Sequence, residues 1–205
     1  MSSIKLKHSG GNGVIIAAPS SNPASDRTIT LPATADGTLL TTTNPKAGNI
    51  IQVLQAVKTD TFLLDGVATA DIGGLSIAIT PSSSSNKILV FYNVSAAMEA
   101  GGYNGHLFLF RDSTQIYLGN ADGNRTRSSS FITSHSAVDF GAYEMFDLSG
   151  TFLDSPSTTS STTYKLSVKS QNSGKAFYVN RFNNNTDGSG TPRTASSITV
   201  MEVAG

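Results

Sequence analysis

Apolar and polar residues alternate in short runs along most of the chain, and clusters of Gly, Pro, Asn, Asp and Ser cut the runs apart. Ile4 and Leu6 alternate with Lys5 and Lys7, Ile29 and Leu31 with Thr28 and Thr30, and Leu75, Ile77 and Ile79 share one face of a single stretch. A period of two over a few residues is the pattern of a strand with one buried face. Further strands are expected at Ile50 to Val57, Phe62 to Leu64, Lys87 to Ala97, His106 to Phe110, Gln115 to Leu118, Ser128 to Thr133, Tyr143 to Leu153, Tyr164 to Ser170, Ala176 to Asn180 and Ser197 to Val203. In Lys87 to Ala97 both alternating sets are apolar, so both faces of that strand should be partly covered. Turns are expected at Pro81 to Asn86, at Arg111 to Thr114 and at Asn172-Ser173-Gly174. Many short strands separated by turns, with no helical period and no repeat, predict an all-β, antiparallel β-sandwich, with a jelly roll as first choice.

The first part of the chain is different in scale. Between Ile4 and Leu40 the apolar segments are very short, with turns at Gly10 to Gly13, Pro19 to Asp26 and Ala35-Asp36-Gly37. A β unit of roughly 40 residues with so few inward side chains needs a disulfide, a metal or oligomerisation to hold. The chain has no cysteine, so oligomerisation is the expected answer. Thr41 to Gly48 is a polar, hinge-like stretch in which Asn44-Pro45 disfavours helix. The boundary is placed there, giving residues 1–46 as a stem or attachment segment and residues 47–205 as a globular knob.

Charge and composition narrow the partners. Lys plus Arg and Asp plus Glu each number 14, for a formal net charge of zero, which predicts neither a nucleic-acid footprint nor a polybasic membrane patch. Charged residues make up only 14%, against about a quarter in an average protein, so the surface is built largely from Ser, Thr, Asn and Gly. Without cysteine, disulfide staples and thiol catalysis are excluded. The amino terminus lacks the apolar core of a secretory signal, and the longest apolar stretches, Ile50 to Val57 and Ile88 to Tyr92, are strand-sized, so neither export nor membrane insertion is expected.

The run KLKHSGGNGV from Lys5, followed by IAAPSSNPASDRTITLPATADGTLLTT from Ile16, resembles a module of structural proteins of tailed bacteriophages, notably tail fibres and virion appendages of marine cyanophages. The likeness continues in Ala47 to Val53, in Ile79 to Val90, in Phe152 to Pro156 and in Ser197 to Val203, so it touches nearly the whole chain. This resemblance implies a β-rich, homotrimeric virion protein, assembled in the host cytoplasm and partnered by other tail or capsid proteins. It implies a trimer-stem core of Ile4, Leu6, Val14, Ile16, Ile29, Leu31 and Leu39 around a threefold axis. The strand order, ending in a buried terminal strand after a long loop, is similar to the trimeric tumour-necrosis-factor-like jelly rolls also found at fibre tips.

Candidate chemistry is sparse. Gly11-Asn12-Gly13 precedes β-branched Val14-Ile15-Ile16 and not a helix, so it reads as a hairpin turn and not as a phosphate loop. His8, His106 and His135 have no metal-ligand spacing, and Asn120, Asp122 and Asn124 lack the later Glu of a calcium loop while Arg125 and Arg127 add repelling charge. No metal and no cofactor is expected. Glu99, Asp139, Glu144, Asp147 and Asp154 are available for glycan cleavage, but their spacing pairs no two of them. Adhesion remains. Sugar sites on β-sandwich loops combine a stacking aromatic with Asn, Asp and Arg, because a sugar offers an apolar face edged by hydroxyls. Tyr103 with Asn104, the loop carrying Asn120, Asp122, Asn124 and Arg125, and Phe182 with Asn183, Asn184 and Asp187 have that composition and are the receptor-contact candidates.

The expectation is therefore a non-enzymatic, trimeric short tail fibre or appendage that contacts a host-surface glycan. A capsid decoration or head-fibre protein is the alternative, and a glycan-degrading fibre tip the third reading.

Overall fold

The computed structural model describes residues 3–7, 9–11, 13–17, 45–136 and 142–205. The chain divides into two compact units, Met1–Leu39 and Leu40–Gly205. In the first, β1 (Ser3–Lys7) and β2 (Gly13–Ala17) form an antiparallel hairpin. Its register sets Ile4 opposite Ile16 and Leu6 opposite Val14, so these expected stem residues are cross-strand partners. Ile29, Leu31 and Leu39 lie outside the described residues.

The second unit is all-β, with no helix among the described residues. Its strands are β3 (Ile50–Lys58), β4 (Phe62–Asp65), β5 (Ala70–Ile79), β6 (Lys87–Met98), β7 (Asn104–Arg111), β8 (Thr114–Ile116), β9 (Ser130–Thr133), β10 (Phe146–Asp154), β11 (Thr162–Ser170), β12 (Ala176–Val179) and β13 (Ser196–Val203). Six of them form one antiparallel sheet organised on β6. β10 runs along one edge of β6, while β13 and then β12 share the other, with β3 beyond β13 and β4 beyond β12. The remaining five form the second sheet, in which β5 pairs with β11, β11 with β7, and β8 and β9 share the far edge of β7. The layer β3-β13-β6-β10 facing the layer β5-β11-β7-β9 is the strand order of a jelly roll.

Alternation decides what lies between the layers. On β6 the even-numbered residues Ile88, Val90, Tyr92, Val94, Ala96 and Met98 are buried, and they meet Leu107 and Leu109 of β7 and Tyr164, Leu166 and Val168 of β11. Full burial of each large side chain contributes roughly 1.5–3 kcal/mol. Two glycines face this core because nothing larger fits. A Cβ on Gly105 would lie 2.6 Å from Met98 Sδ and from a ring carbon of Phe177, and one on Gly150 would meet the ring of Tyr92, its cross-strand neighbour.

The split edge of β6 is closed by one residue. Asn180 follows β12, is fully buried and has a left-handed φ of 62°. Its backbone N–H donates to Ser95 O at 2.9 Å, its amide donates to Lys58 O and Asp60 O at 2.9 Å each, and its Oδ1 accepts from Ser196 Oγ at 2.6 Å. Backbone groups orphaned where β13 gives way to β12 thus find partners.

Some strand limits differ from those expected. β5 begins at Ala70 and not near Leu75, because Gly73-Gly74 is an excursion inside a continuous strand: Asp71 pairs with Ser167 and Ser76 with Lys165. Gly74 takes φ of 88°, and both Ile72 and Leu75 still point inward. β8 ends at Ile116 because Tyr117 turns to φ of 55°, and β10 starts at Phe146 and not at Tyr143.

Candidate functional site

The outer face of the five-stranded sheet carries a cleft of about 450 Å³. β7 and β9 build its floor. Leu107 and Ile132 point into the core, so their neighbours His106 and Phe131, which are cross-strand partners, point outward. Phe131 is 53% exposed. Its ring centroid lies 5.3 Å from that of His106, which in turn stacks on Phe108 at 6.1 Å. Asn104, Gln171, Ser128 and Thr126 form polar walls, and Asn124 with Arg125 closes one side.

His106 is a fixed part of this floor. Its Nε2 lies 3.2 Å from Gln171 Oε1 and its Nδ1 lies 3.3 Å from Ser128 Oγ. A ring that donates from Nε2 to the amide oxygen and accepts at Nδ1 from the hydroxyl satisfies both contacts while neutral. Burial is the main reason its pKa falls below the ordinary histidine value; the Gln171 bond acts the other way and the charge of Lys169 adds to the fall. The cleft therefore presents a neutral aromatic platform and not a cation. Asn104 Oδ1 accepts a hydrogen bond from Thr133 Oγ1, which fixes the amide at the opposite wall.

Of the residues singled out from sequence, Asn104, Asn124 and Arg125 come together here. Asn120 and Asp122 are exposed in the same loop, where Asp122 holds Arg125 at 2.6 Å and Arg127 Nε donates to Gly119 O. That internal pairing is an ordinary polar turn. Tyr103 is elsewhere: it packs against the core, with Lys175 Nζ 4.5 Å from its ring centroid.

Phe182, Asn183 and Asn184 belong to a separate cluster. Phe182 meets Tyr143 edge to face at 6.2 Å, Asn184 Nδ2 donates to Tyr143 Oη at 2.7 Å, and Tyr178 Oη donates to Asn183 Oδ1 at 2.7 Å. The amides of this loop hold it to the body of the second unit, and Asp187 stays exposed beyond them. Phe131 and Tyr143 were not singled out from sequence, and His106 was weighed there only as a metal ligand. For Phe131 the available signal was an aromatic residue at an outward strand position beside inward-facing Ile132.

The carboxylates named for glycan cleavage are engaged structurally. Glu99 holds Lys175 and the backbone N–H of Ala176, Glu144 accepts from the His135 N–H, and Asp147 accepts from Ser95 Oγ. Asp154 accepts from Arg111 and from the Tyr164 hydroxyl, and Asp139 lies outside the described residues. Among the described residues no group of three or more His, Cys, Asp or Glu is placed to hold a metal ion.

No protein-family model and no curated protein matches the chain. Among solved structures, that of infectious bursal disease virus strain Gt is similar at a TM-score of 0.39 and 12% identity over 95% of this chain, and strain Gx at 0.41 and 11% over 94%. The chain spans about half of each, 48% and 53% respectively. The tripod from the baseplate of bacteriophage Tuc2009 is similar at a TM-score of 0.24 and 9% identity, covering 94% of this chain and 84% of that one.

Proposed function

We propose that the chain is a structural component of a tailed-phage virion, a short tail fibre or appendage that contacts a glycan of the host surface through the Phe131 cleft. The virion assignment rests on the sequence resemblance that runs from Lys5 to Val203. The contact role is carried by one observation: a half-exposed aromatic ring, backed by a neutral histidine, lies in a cleft rimmed by Asn104, Asn124 and Arg125. A pyranose presents an apolar face that stacks on such a ring, and its equatorial hydroxyls reach amide and guanidinium groups around it. The work is adhesion, with no bond made or broken. Several copies on one particle would multiply weak single contacts.

The test is immunogold labelling of intact virions with an antibody against residues 47–205, paired with binding of the purified chain to host envelope polysaccharide. Label at the tail or fibre ends together with saturable polysaccharide binding is the expected result. Label spread over the head would replace this reading with a capsid decoration protein. Release of reducing sugar would replace it with a glycan-degrading tip.

A further inference from the structure

The Phe131 cleft has a neighbour. A second cleft, of about 480 Å³, is lined by Gly102, Thr133, His135, Glu144 and Phe146, among others. β9 and the chain just beyond it run through both. Ile132 and Ser134 are buried while Phe131, Thr133 and His135 are exposed, so one outward row passes from the first cleft into the second. The facing strand continues alongside. His106 pairs with Phe131 and Asn104 with Thr133 in the ladder of β7 and β9, and past its end the Gly101 and Gly102 N–H groups donate to His135 O at 3.1 and 3.0 Å. Ser134 Oγ ties this extension to the body, accepting from Tyr103 N–H at 2.9 Å and donating to Glu99 O at 2.7 Å. Gly102 brings no side chain to the place opposite His135, which leaves the second cleft open.

The two clefts meet at one hydrogen-bonded pair, Thr133 Oγ1 donating to Asn104 Oδ1. Their polar groups are of opposite kind. With its oxygen engaged by Thr133, Asn104 offers chiefly its amide N–H groups to the first cleft, and Arg125 there is a donor as well. In the second cleft the charged group is an acceptor. Glu144 Oε2 takes the His135 N–H at 2.7 Å, its one hydrogen bond among the described residues, so most of the carboxylate's capacity is open. Phe146, 42% exposed, supplies an apolar surface beside it.

We infer that the two clefts are adjacent subsites of one groove for an internal stretch of polysaccharide, with one sugar unit on Phe131 and a further, uncharged unit against Phe146 and Glu144. This rests on the glycan reading of the Phe131 cleft and deepens it. From Phe131 to His135 the extended chain covers roughly 13 Å, a length that a single pyranose ring does not span. A sugar hydroxyl both donates and accepts, so one chain of such rings satisfies the donors of the first cleft and the acceptor of the second. Glu144 selects for a unit with free hydroxyls and against an acidic one, because two carboxylates brought together repel. The first cleft, closed by Arg125, carries no such bar.

Titration calorimetry of the full-length chain with size-fractionated fragments of host envelope polysaccharide, prepared by partial hydrolysis, tests it. Fragments of three or more units are expected to bind at least tenfold tighter than single sugars, since the second contact comes without a second loss of freedom. Glu144→Gln keeps an oxygen for the His135 N–H, and Phe146→Ala trims an exposed ring, so an unchanged melting curve checks that both variants fold. Each is expected to remove the gain with fragment length while leaving the affinity for single sugars as in the wild type. Phe131→Ala, in contrast, should weaken fragments of every length. Affinity independent of length, or a gain with length that survives both variants, would overturn the two-subsite inference and leave the Phe131 cleft as a single-sugar site. No binding of any fragment would overturn the glycan reading and this inference with it.

Discussion

Asn86 reaches across the sandwich end to donate its amide to the Glu202 carboxylate at 2.6 Å. Glu202 is fully buried, yet its hydrogen-bond partners are all uncharged: Ser82 N–H at 2.6 Å, Ser82 Oγ at 2.7 Å and Gln52 Nε2 at 2.5 Å complete the set. A buried carboxylate that accepts several such bonds ties its neighbours together, since each donor loses its partner if the charge goes. Here the neighbours are the start of β3, the Ser-rich turn before β6 and the end of β13. Glu202→Gln swaps an acceptor oxygen for a donor that faces other donors. The expected loss is about 2–4 kcal/mol by urea denaturation, with the same sheet content by circular dichroism. A loss under about 0.5 kcal/mol, the size of an ordinary surface change, would show that the network is not cooperative.

Acid should weaken the fold in a defined order. Burial alone would raise the Glu202 pKa, but the bonds from Asn86, Ser82 and Gln52 outweigh it and hold the carboxyl below its ordinary 4.5. Asp71 behaves alike: burial pushes it up, and Lys165 with Ser167 brings it below 3.8. His106 is held below 6.5, chiefly by burial. All three groups bind protons less readily folded than unfolded, so each contributes stability that is complete above its ordinary value and lost as pH falls through the folded one. Urea midpoints should decline gently once pH drops below 6.5 and more steeply below 4.5. In Glu202→Gln the steep part should flatten; an unchanged slope would assign it to other carboxylates.

Much of the architecture was written in local pattern. Leu75, Ile77 and Ile79, and Ile88, Val90, Tyr92 and Val94, alternate with other residues because one face of each strand is core, and those residues are buried. The segments that carry the phage resemblance, Ala47 to Val53, Ile79 to Val90 and Ser197 to Val203, are far apart in sequence but supply Gln52, Ser82, Asn86 and Glu202 to one network. Phe152 to Pro156 supplies Asp154, whose carboxylate accepts from Tyr164 Oη at 2.6 Å. What local pattern could not show was pairing. His106 and Phe131 meet only because β7 and β9 adopt one register, and Asn180 earns its role only where two strands share one edge. The strand expected from Leu75 runs back to Ala70 across Gly73-Gly74 because β11 pairs on both sides of those glycines, and β11 lies about ninety residues on.

Asn180 separates two contributions. Asn180→Ala and Asn180→Gly both leave Lys58 O, Asp60 O and Ser196 without its amide, a loss of about 2–4 kcal/mol. Only alanine also bears the left-handed φ of 62°, which costs a residue with a Cβ about 1–2 kcal/mol more than glycine. The glycine variant should therefore melt higher than the alanine variant. Equal melting points would mean that the backbone relaxes out of the left-handed region.

Gly105 and Gly73 make a matched pair. Both become alanine by adding one methyl group, but a Cβ at Gly105 would lie 2.6 Å from Met98 and Phe177, whereas one at Gly73 meets nothing within 4 Å. Gly105→Ala should cost about 1–3 kcal/mol through overpacking, and Gly73→Ala should be near neutral. Comparable effects at the two positions would show that the layers separate freely at β7.

The cleft makes the sharpest functional prediction because its stacking and polar parts can be removed separately. Phe131 is half exposed, so Phe131→Ala should leave the melting temperature almost unchanged while removing the platform. Binding of host envelope polysaccharide, measured by titration calorimetry, should weaken at least tenfold, whereas Phe131→Tyr should retain it. Gln171→Leu leaves the ring in place but strips His106 Nε2 of its acceptor at 3.2 Å, so a smaller loss is expected, with the ring orientation as its cause. Arg125→Ala should weaken acidic polysaccharides more than neutral ones, since the guanidinium is the charged group at the rim. Equal affinities for wild type and Phe131→Ala would remove the cleft from the contact surface and turn attention to the loop of Tyr143 and Phe182.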